Sequence, residues 1–208
     1  MDTHGIPLIL ASASPRRKEI LEAHGFAPIV IPSDFEETLP PNTILTPEQT
    51  TIYLSEQKAE AVLGALAPED WPRGCIVLGV DTIVYKDRII GKPVDEADAL
   101  AILRSLKNAS HEVISGVCLI RALPQSEAND SMENLIPTDK RLFSDTTTVR
   151  FGDYTDDEIL AYIRANPPYD KSGSYAIQSD WGRHVLEVDG DIENVIGLPF
   201  IKLSKYLK

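Results

Sequence analysis

The chain has 208 residues, of which 43% are hydrophobic and 25% charged, a composition typical of globular proteins. Its 20 Lys and Arg face 32 Asp and Glu, which gives a formal net charge of −12. This acidity argues against a nucleic acid polymer or an anionic membrane surface as a partner, since both require a broad basic face. A small anionic ligand is still allowed, because a local basic pocket can oppose the overall charge.

The cysteines and the apolar runs indicate the compartment. Cys75 and Cys118 each lie in an apolar run, so we expect two buried thiols rather than a disulfide framework. No apolar stretch approaches the roughly 20 residues of a membrane span, and the run at residues 8–11 is too short for a secretory signal. We therefore expect a cytoplasmic protein, with the nucleus as an open alternative.

In the first half of the chain, apolar runs alternate with helix-capping signals. Strands are predicted at three such runs, residues 7–11, 27–31 and 75–85. After the first strand, Ser14 is a good N-cap and Pro15 suits the first helical turn. Thr46 opens a capping box, which predicts a second helix to about residue 66. The third run is nearly continuous, as in a strand buried on both faces.

The second half of the chain continues this alternation. The elements predicted next are a helix capped by Asp95, strands at 111–123 and 143–151, and a helix capped by Thr155. Residues 124–142 are polar and turn-rich, and we interpret them as an exposed excursion. A hairpin is predicted to turn at Asp189-Gly190, and residues 199–208 predict a C-terminal helix. The alternation places the chain in the α/β class.

The first segment with side chains suited to chemistry follows the first predicted strand. Ser12 and Ser14 offer hydroxyl groups, and Arg16 and Arg17 offer guanidinium groups. A helix N-terminus at the same place adds unpaired backbone N–H groups, so the segment suits phosphate oxygens. The alternative interpretation is a capped surface helix with solvated arginines.

Three further segments carry weaker signals. Asp81 interrupts an apolar strand, where a carboxylate needs a partner or a metal, although it could simply cap a neighbouring loop. Lys92 lies between a glycine and a proline, and residues 170–178 form a loop of small residues that ends at Gln178, whose amide can read a base edge. Each loop alone also fits an ordinary turn. Combined with the acidic segment at 34–37, they suit phosphates and a hard cation such as Mg²⁺ or Mn²⁺.

Six blocks of sequence resemble one protein family. They read LILASASPRRKEIL, SDFEET, EQKAEAV, GVDTIVYKDRIIGKPVDEADAL, DKSGSYAIQ and VIGLP. In this order they resemble the Maf family of nucleoside triphosphate pyrophosphatases, related in fold to inosine triphosphate pyrophosphatase. The resemblance implies an α/β fold with an elongated mixed sheet, flanking helices and a cleft between two lobes. It also implies a single domain over 1–208, with an exposed insertion at about 121–147, and a homodimer.

The resemblance implies hydrolysis of a nucleoside triphosphate to the monophosphate and pyrophosphate with Mg²⁺ or Mn²⁺. Asp81 matches the acidic general base. Catalytic roles are expected for Asp81, Lys58 and Lys92, and metal binding for Glu37, Asp81 and the adjacent Glu36. Substrate contacts are expected for Ser12, Ser14, Arg16, Arg17, Thr82, Lys171 and Gln178. Arg16, Thr82 and Gln178 match the branch that prefers dTTP and UTP, whereas the 7-methyl-GTP branch has Trp at the position of Arg16.

Other functions remain open at this point. CTP or modified pyrimidine nucleotides are further candidate substrates. One alternative is the removal of damaged nucleotides, as by inosine triphosphate pyrophosphatase. Another is a nucleotide-sensing regulator of cell division or septum formation with little turnover.

Overall fold

The structure is a computed structural model that describes residues 5–41, 43–126 and 132–207. Its strands are β1 (Leu8–Leu10), β2 (Ile29–Val30), β3 (Cys75–Lys86), β4 (Arg88–Ile90), β5 (Ser110–Ser126), β6 (Met132–Phe151) and β7 (Val185–Asp189). Its helices are α1 (Pro15–Ala23), α2 (Pro47–Ala65), α3 (Glu96–Leu106), α4 (Asp156–Ala165), α5 (Ile192–Ile196) and α6 (Phe200–Leu203). Single 3₁₀ turns occupy Pro68–Asp70, Ser172–Ser174 and Asp180–His184.

The strands form one mixed sheet in the order β2-β1-β3-β5-β6-β7, and β4 pairs with β3 outside this path. Strand β1 runs parallel to both β2 and β3. Strand β4 is antiparallel to β3, and β7 is antiparallel to β6. The predicted α/β class, with helices flanking a mixed sheet, is therefore confirmed.

The helix starts follow the local capping signals. Thr46 and Thr155 both form complete capping boxes, and the Asp95 side chain accepts a hydrogen bond at the start of α3. Ser14 occupies the N-cap of α1 but its side chain makes no capping bond. Instead, the Ser14 N–H donates to Ser12 Oγ at 3.3 Å, so the turn before α1 is held by the earlier serine.

The interpretation of residues 124–142 needs correction, because strand structure fills most of this segment. Strand β5 reaches Ser126 and β6 begins at Met132, while residues 127–131 lie outside the described residues. Most side chains from 134 to 142 are exposed, as expected. Because most of these side chains are exposed, apolar and polar residues need not alternate strictly, so the segment carried no period of two.

The predicted hairpin at Asp189-Gly190 is wrong. Strand β7 ends at Asp189, and the Asp191 side chain then accepts from the Glu193 N–H and caps α5. The antiparallel partner of β7 is β6, with Val149 opposite Val188. A capping residue directly after the turn therefore starts a helix where a returning strand was expected.

The chain divides into two compact units. Unit 1 comprises Met1–Asp81, Ser115–Asp145 and Phe200–Lys208, and unit 2 comprises Thr82–Ile114 and Thr146–Pro199. The core of unit 1 contains both cysteines as free, buried thiols. Burial raises the pKa of Cys75 to about 11 and that of Cys118 to about 12, so both thiols stay protonated near neutral pH, as expected for small apolar residues.

The core of unit 2 is rich in aromatic rings. Trp181 packs against Tyr154 and Tyr162, with ring centroids 4.8 Å apart in each pair. Phe151 packs edge-on against Tyr175 at 4.9 Å. In the described parts of the chain, no helix is both long enough and apolar enough to cross a membrane.

Candidate active site

In unit 1, the turn after β1 is tied to strand β3 by a single arginine. Arg17 lies in the first turns of α1, and its Nη1 donates to Ser12 Oγ at 2.8 Å and to the Val80 carbonyl at 3.0 Å. Ser12 is buried, so its hydroxyl is fixed by this bond. The guanidinium group therefore lies beside the residue that precedes Asp81.

Arg17 stays charged near neutral pH despite its surroundings. Desolvation lowers the pKa of Arg17 to about 10, with Arg16 acting in the same direction, while Asp81 and Glu37 oppose the shift. A cation held by neighbouring carboxylates in a desolvated place interacts strongly with an incoming anion. This arrangement makes Arg17 suited to a phosphate group.

Lys58 joins two carboxylates. Its Nζ lies 2.6 Å from Asp81 Oδ1 and 2.7 Å from Glu37 Oε1. The side chains of Lys58 and Asp81 are 11% and 9% exposed, whereas that of Glu37 is 48% exposed. Asp81 on β3 is thus a buried carboxylate with a charged partner, and Glu37 lies at the solvent side of the same lysine.

A glycine in β3 lets helix α2 approach close enough for this contact. A Cβ on Gly79 would lie only 2.1 Å from the Ser55 carbonyl oxygen and 2.9 Å from Ala59 Cβ. Lys58 is on the same helix, between these two contacts. Gly79 belongs to no predicted site motif, although a glycine inside an apolar strand is a signal for close backbone approach.

These residues form what we term the Asp81 cluster: Ser12, Arg17, Glu37, Lys58 and Asp81. The neighbouring Ser14 is part-buried and contacts Ser12 through its backbone. Arg16 is part-buried beside Arg17. Glu36 is exposed, and the contact with Lys58 belongs to Glu37.

The remaining predicted residues belong to unit 2, where hydrogen bonds to backbone carbonyls join the segments that carry them. The Thr82 carbonyl accepts from Ser172 Oγ at 3.4 Å, and the Gly173 N–H donates to the Gly91 carbonyl at 3.2 Å. The Thr82 hydroxyl donates to the Gly197 carbonyl at 3.4 Å. The segment 170–178, termed the Lys171 loop, is therefore held next to both Thr82 and the turn that carries Lys92.

Two of the side chains predicted for the site in unit 2 are more exposed than Lys58 and Asp81. Lys92 and Gln178 are exposed, and Lys171 is paired with its neighbour Asp170. The Tyr175 hydroxyl and His111 Nε2 lie 2.7 Å apart below this loop, and both residues are buried. The motifs gave no reason to select His111, since its partner is distant in sequence.

Known proteins match this chain over nearly its full length. The family model for Maf-like proteins matches residues 7–208. The chain belongs to the Maf-like family. A dTTP/UTP pyrophosphatase of Exiguobacterium sibiricum is 39% identical over 203 residues, which cover 97% of this chain and 91% of that protein. A dTTP/UTP pyrophosphatase of Bacillus thuringiensis subsp. konkukian is 40% identical over 202 residues, which cover 97% and 94%.

The Asp81 cluster of this Maf-like protein also has donors that suit a divalent cation. Two carboxylates, from Glu37 and Asp81, reach the same Lys58 ammonium. Among the described residues, no group of three or more His, Cys, Asp and Glu surrounds a common metal position. Mg²⁺ in phosphate-binding enzymes commonly takes only one or two carboxylates, plus waters and substrate phosphates. The donor set therefore fits Mg²⁺ or Mn²⁺.

Proposed function

We propose that this protein hydrolyses dTTP and UTP to the nucleoside monophosphate and pyrophosphate. The observation that carries the proposal is the buried Asp81 carboxylate held by Lys58 beside Arg17. Such a group can orient or deprotonate a water molecule next to cations that receive a phosphate. Full-length relatives with 39% and 40% identity, both named dTTP/UTP pyrophosphatase, support this substrate class.

The cations bind and polarise the triphosphate in this proposal. Arg17 and Lys58 offset negative charge on the phosphates, as does Lys92. The hydroxyl groups of Ser12 and Ser14 add hydrogen bonds next to the start of α1. Because Ser12, Arg17 and Lys58 are already held by hydrogen bonds, they reorganise little during cleavage of the bond between the α- and β-phosphates.

A divalent cation completes the proposed charge balance. Glu37 and Asp81 would hold Mg²⁺ or Mn²⁺, and Glu36 is the neighbouring candidate ligand. When bound, such an ion neutralises phosphate charge that accumulates during cleavage. Asp81 remains the group that directs the attacking water.

Recognition of the base is assigned to Arg16, Thr82 and Gln178, and Lys171 is a further substrate contact. The Gln178 amide both donates and accepts hydrogen bonds, which matches the edge of a pyrimidine base. Its exposure leaves this amide open to a ligand. CTP and modified pyrimidine nucleotides are further substrates to be compared with dTTP and UTP.

A substrate panel tests this function. Purified protein is incubated with UTP, dTTP, CTP and ITP, with Mg²⁺ or Mn²⁺ and with EDTA, and both products are quantified. We expect pyrophosphate and monophosphate in equal amounts, fastest from UTP and dTTP, and no turnover in EDTA. Fastest release from ITP would instead indicate a damaged-nucleotide pyrophosphatase. No release from any nucleotide would contradict an enzyme and favour a nucleotide sensor.

The setting of this activity is also a proposal. We propose that the protein acts on free nucleotides in the cytoplasm as a homodimer. Sedimentation equilibrium tests the second part, where a single species of 22.9 kDa would contradict it.

A further inference from the structure

The Lys171 loop adopts a backbone conformation that needs support from its surroundings. Gly173 and Ser174 follow each other with φ values of +74° and +63°, in the left-handed region. A Cβ on Gly173 would lie 2.7 Å from Val84 Cγ2, so the position also requires a glycine. Ser174 is fully buried, and its hydroxyl has no hydrogen-bond partner among the described residues. Such strained segments persist where neighbouring groups hold them, and they are frequent at functional sites.

Two hydrogen bonds to buried residues of unit 2, His111 and Tyr162, supply that support. The Tyr175 hydroxyl lies 2.7 Å from His111 Nε2, in a pair of which Tyr175 is 6% and His111 2% exposed. The next residue, Ala176, donates its N–H to the Tyr162 hydroxyl at 3.0 Å. The loop is therefore anchored from below immediately after its strained turn.

The Tyr175–His111 bond joins two uncharged groups near neutral pH. Burial, reinforced by Lys86, lowers the pKa of His111 to about 4. Burial also raises the pKa of the Tyr175 phenol far above neutral. His111 Nδ1 is buried and makes no hydrogen bond within the described residues. Among the described residues, the contact of Nε2 with the Tyr175 hydroxyl is therefore the side-chain hydrogen bond that holds this buried imidazole in place.

We propose that Tyr175 and His111, with Tyr162, form a latch that positions the Lys171 loop and thereby sets selectivity for the nucleotide base. Tyr175, the loop residue of this latch, lies four residues after Lys171 and three residues before Gln178, the two loop side chains assigned to the substrate. These three residues are positioning residues, because they act through the loop. This inference rests on the proposed function.

Tyr175→Phe is the central variant. It keeps the ring that packs on Phe151 and removes only the hydroxyl that meets His111. A loosened loop weakens substrate binding equally in the ground state and the transition state, so we expect KM for UTP to rise about five- to tenfold while kcat changes less than about twofold. The ratio of kcat/KM for UTP to that for ITP should fall with it.

Tyr154→Phe is the matched control in the same aromatic core. The Tyr154 hydroxyl donates to the Leu103 carbonyl at 2.7 Å, and the side chain is as buried as that of Tyr175. We expect this variant to retain the wild-type KM and base preference. Both variants should lower the melting temperature by a similar amount, about 2–4 °C, since each loses one buried hydrogen bond.

Tyr162→Phe tests the latch independently, because it removes the acceptor for the Ala176 N–H and leaves the bond between Tyr175 and His111 in place. It should move KM and the UTP-to-ITP ratio in the same direction as Tyr175→Phe. If the wild type is active and both Tyr175→Phe and Tyr162→Phe keep the kinetics of Tyr154→Phe, the latch is refuted while the proposed function stands. If the wild type releases no pyrophosphate from any nucleotide, both are refuted.

Discussion

The Asp81 cluster of unit 1 and the Lys171 loop of unit 2 are built in opposite ways. In the cluster, charged side chains contact each other directly, and Lys58 holds two carboxylates at 2.6 and 2.7 Å. In the loop, the Ser172 hydroxyl donates to the Thr82 carbonyl, and backbone N–H groups donate to the Gly91 carbonyl and the Tyr162 hydroxyl. Gln178 remains exposed. In the cluster, ion pairs hold the charged groups in place before a ligand binds. In the loop, hydrogen bonds hold the main chain, and the amide of Gln178 stays exposed.

This difference suits two tasks. Electrostatic stabilisation of a reacting phosphate needs groups that do not reorganise during the reaction. Discrimination between bases needs polar groups that are paired by one base and left unpaired by another. We therefore propose that the Asp81 cluster carries the chemistry and that the Lys171 loop, through Gln178, takes part in base selection.

The largest effect is expected from Asp81→Asn. The amide cannot take a proton from water, so kcat should fall by about 10³-fold. The variant should fold, because Lys58 keeps its ion pair with Glu37. Pyrophosphate release and circular dichroism measure the two effects. Asp156→Asn is the control, since Asp156 pairs with Arg104 on the surface and should leave turnover unchanged. Wild-type turnover by Asp81→Asn would remove Asp81 from the mechanism.

Gly79→Ala should be the next most damaging change. The added Cβ meets the Ser55 carbonyl at 2.1 Å, so α2 must move away from β3 and take Lys58 with it. We expect a loss of stability of about 1–3 kcal/mol and a fall in kcat of up to about 10²-fold. Urea unfolding and steady-state kinetics measure these effects.

Gly64→Ala, in helix α2 that packs against Gly79, is the control for the same substitution at an uncrowded position. A Cβ at Gly64 meets nothing within 4 Å, so alanine should preserve activity and raise stability, by up to about 1 kcal/mol from its helix propensity. Equal behaviour of the Gly79 and Gly64 variants would contradict the requirement for close approach.

Glu37→Gln should have a smaller effect. Its comparison with Glu36→Gln decides which of the two adjacent carboxylates binds the cation. Loss of the charge that contacts Lys58 and that we propose contacts the cation should lower kcat/KM about tenfold and raise the Mg²⁺ concentration for half-maximal activity. Glu36→Gln should change neither value by more than about twofold. The reverse pattern would assign the metal to Glu36.

Local signals explain which parts of the fold the sequence predicted. The caps at Thr46, Asp95 and Thr155 act within one helical turn, so a short stretch contains all the information. The first part of the strand from Met132 was missed because most side chains from 134 to 142 are exposed and need not alternate with apolar ones. The turn before Asp191 was misinterpreted because its capping signal overlaps a hairpin signal.

The site was predictable as a set of residues but not as contacts. Resemblance supplied Lys58 and Asp81, yet their ion pair spans 23 positions and depends on Gly79. The bond between His111 and Tyr175 spans 64 positions and joins residues without any motif in common. Such pairs come from tertiary packing, which no local pattern encodes.

The division between chemistry and base selection is tested most directly by kcat/KM for UTP and ITP in Glu37→Gln and Gln178→Ala. We predict that Glu37→Gln lowers both values about equally and leaves their ratio unchanged, because in this proposal Glu37 holds the cation and contacts no part of the base. Gln178→Ala should lower the value for UTP and reduce the preference for UTP over ITP about tenfold. If Glu37→Gln changed the preference as strongly as Gln178→Ala, or if Gln178→Ala lowered both values equally, the division would be contradicted.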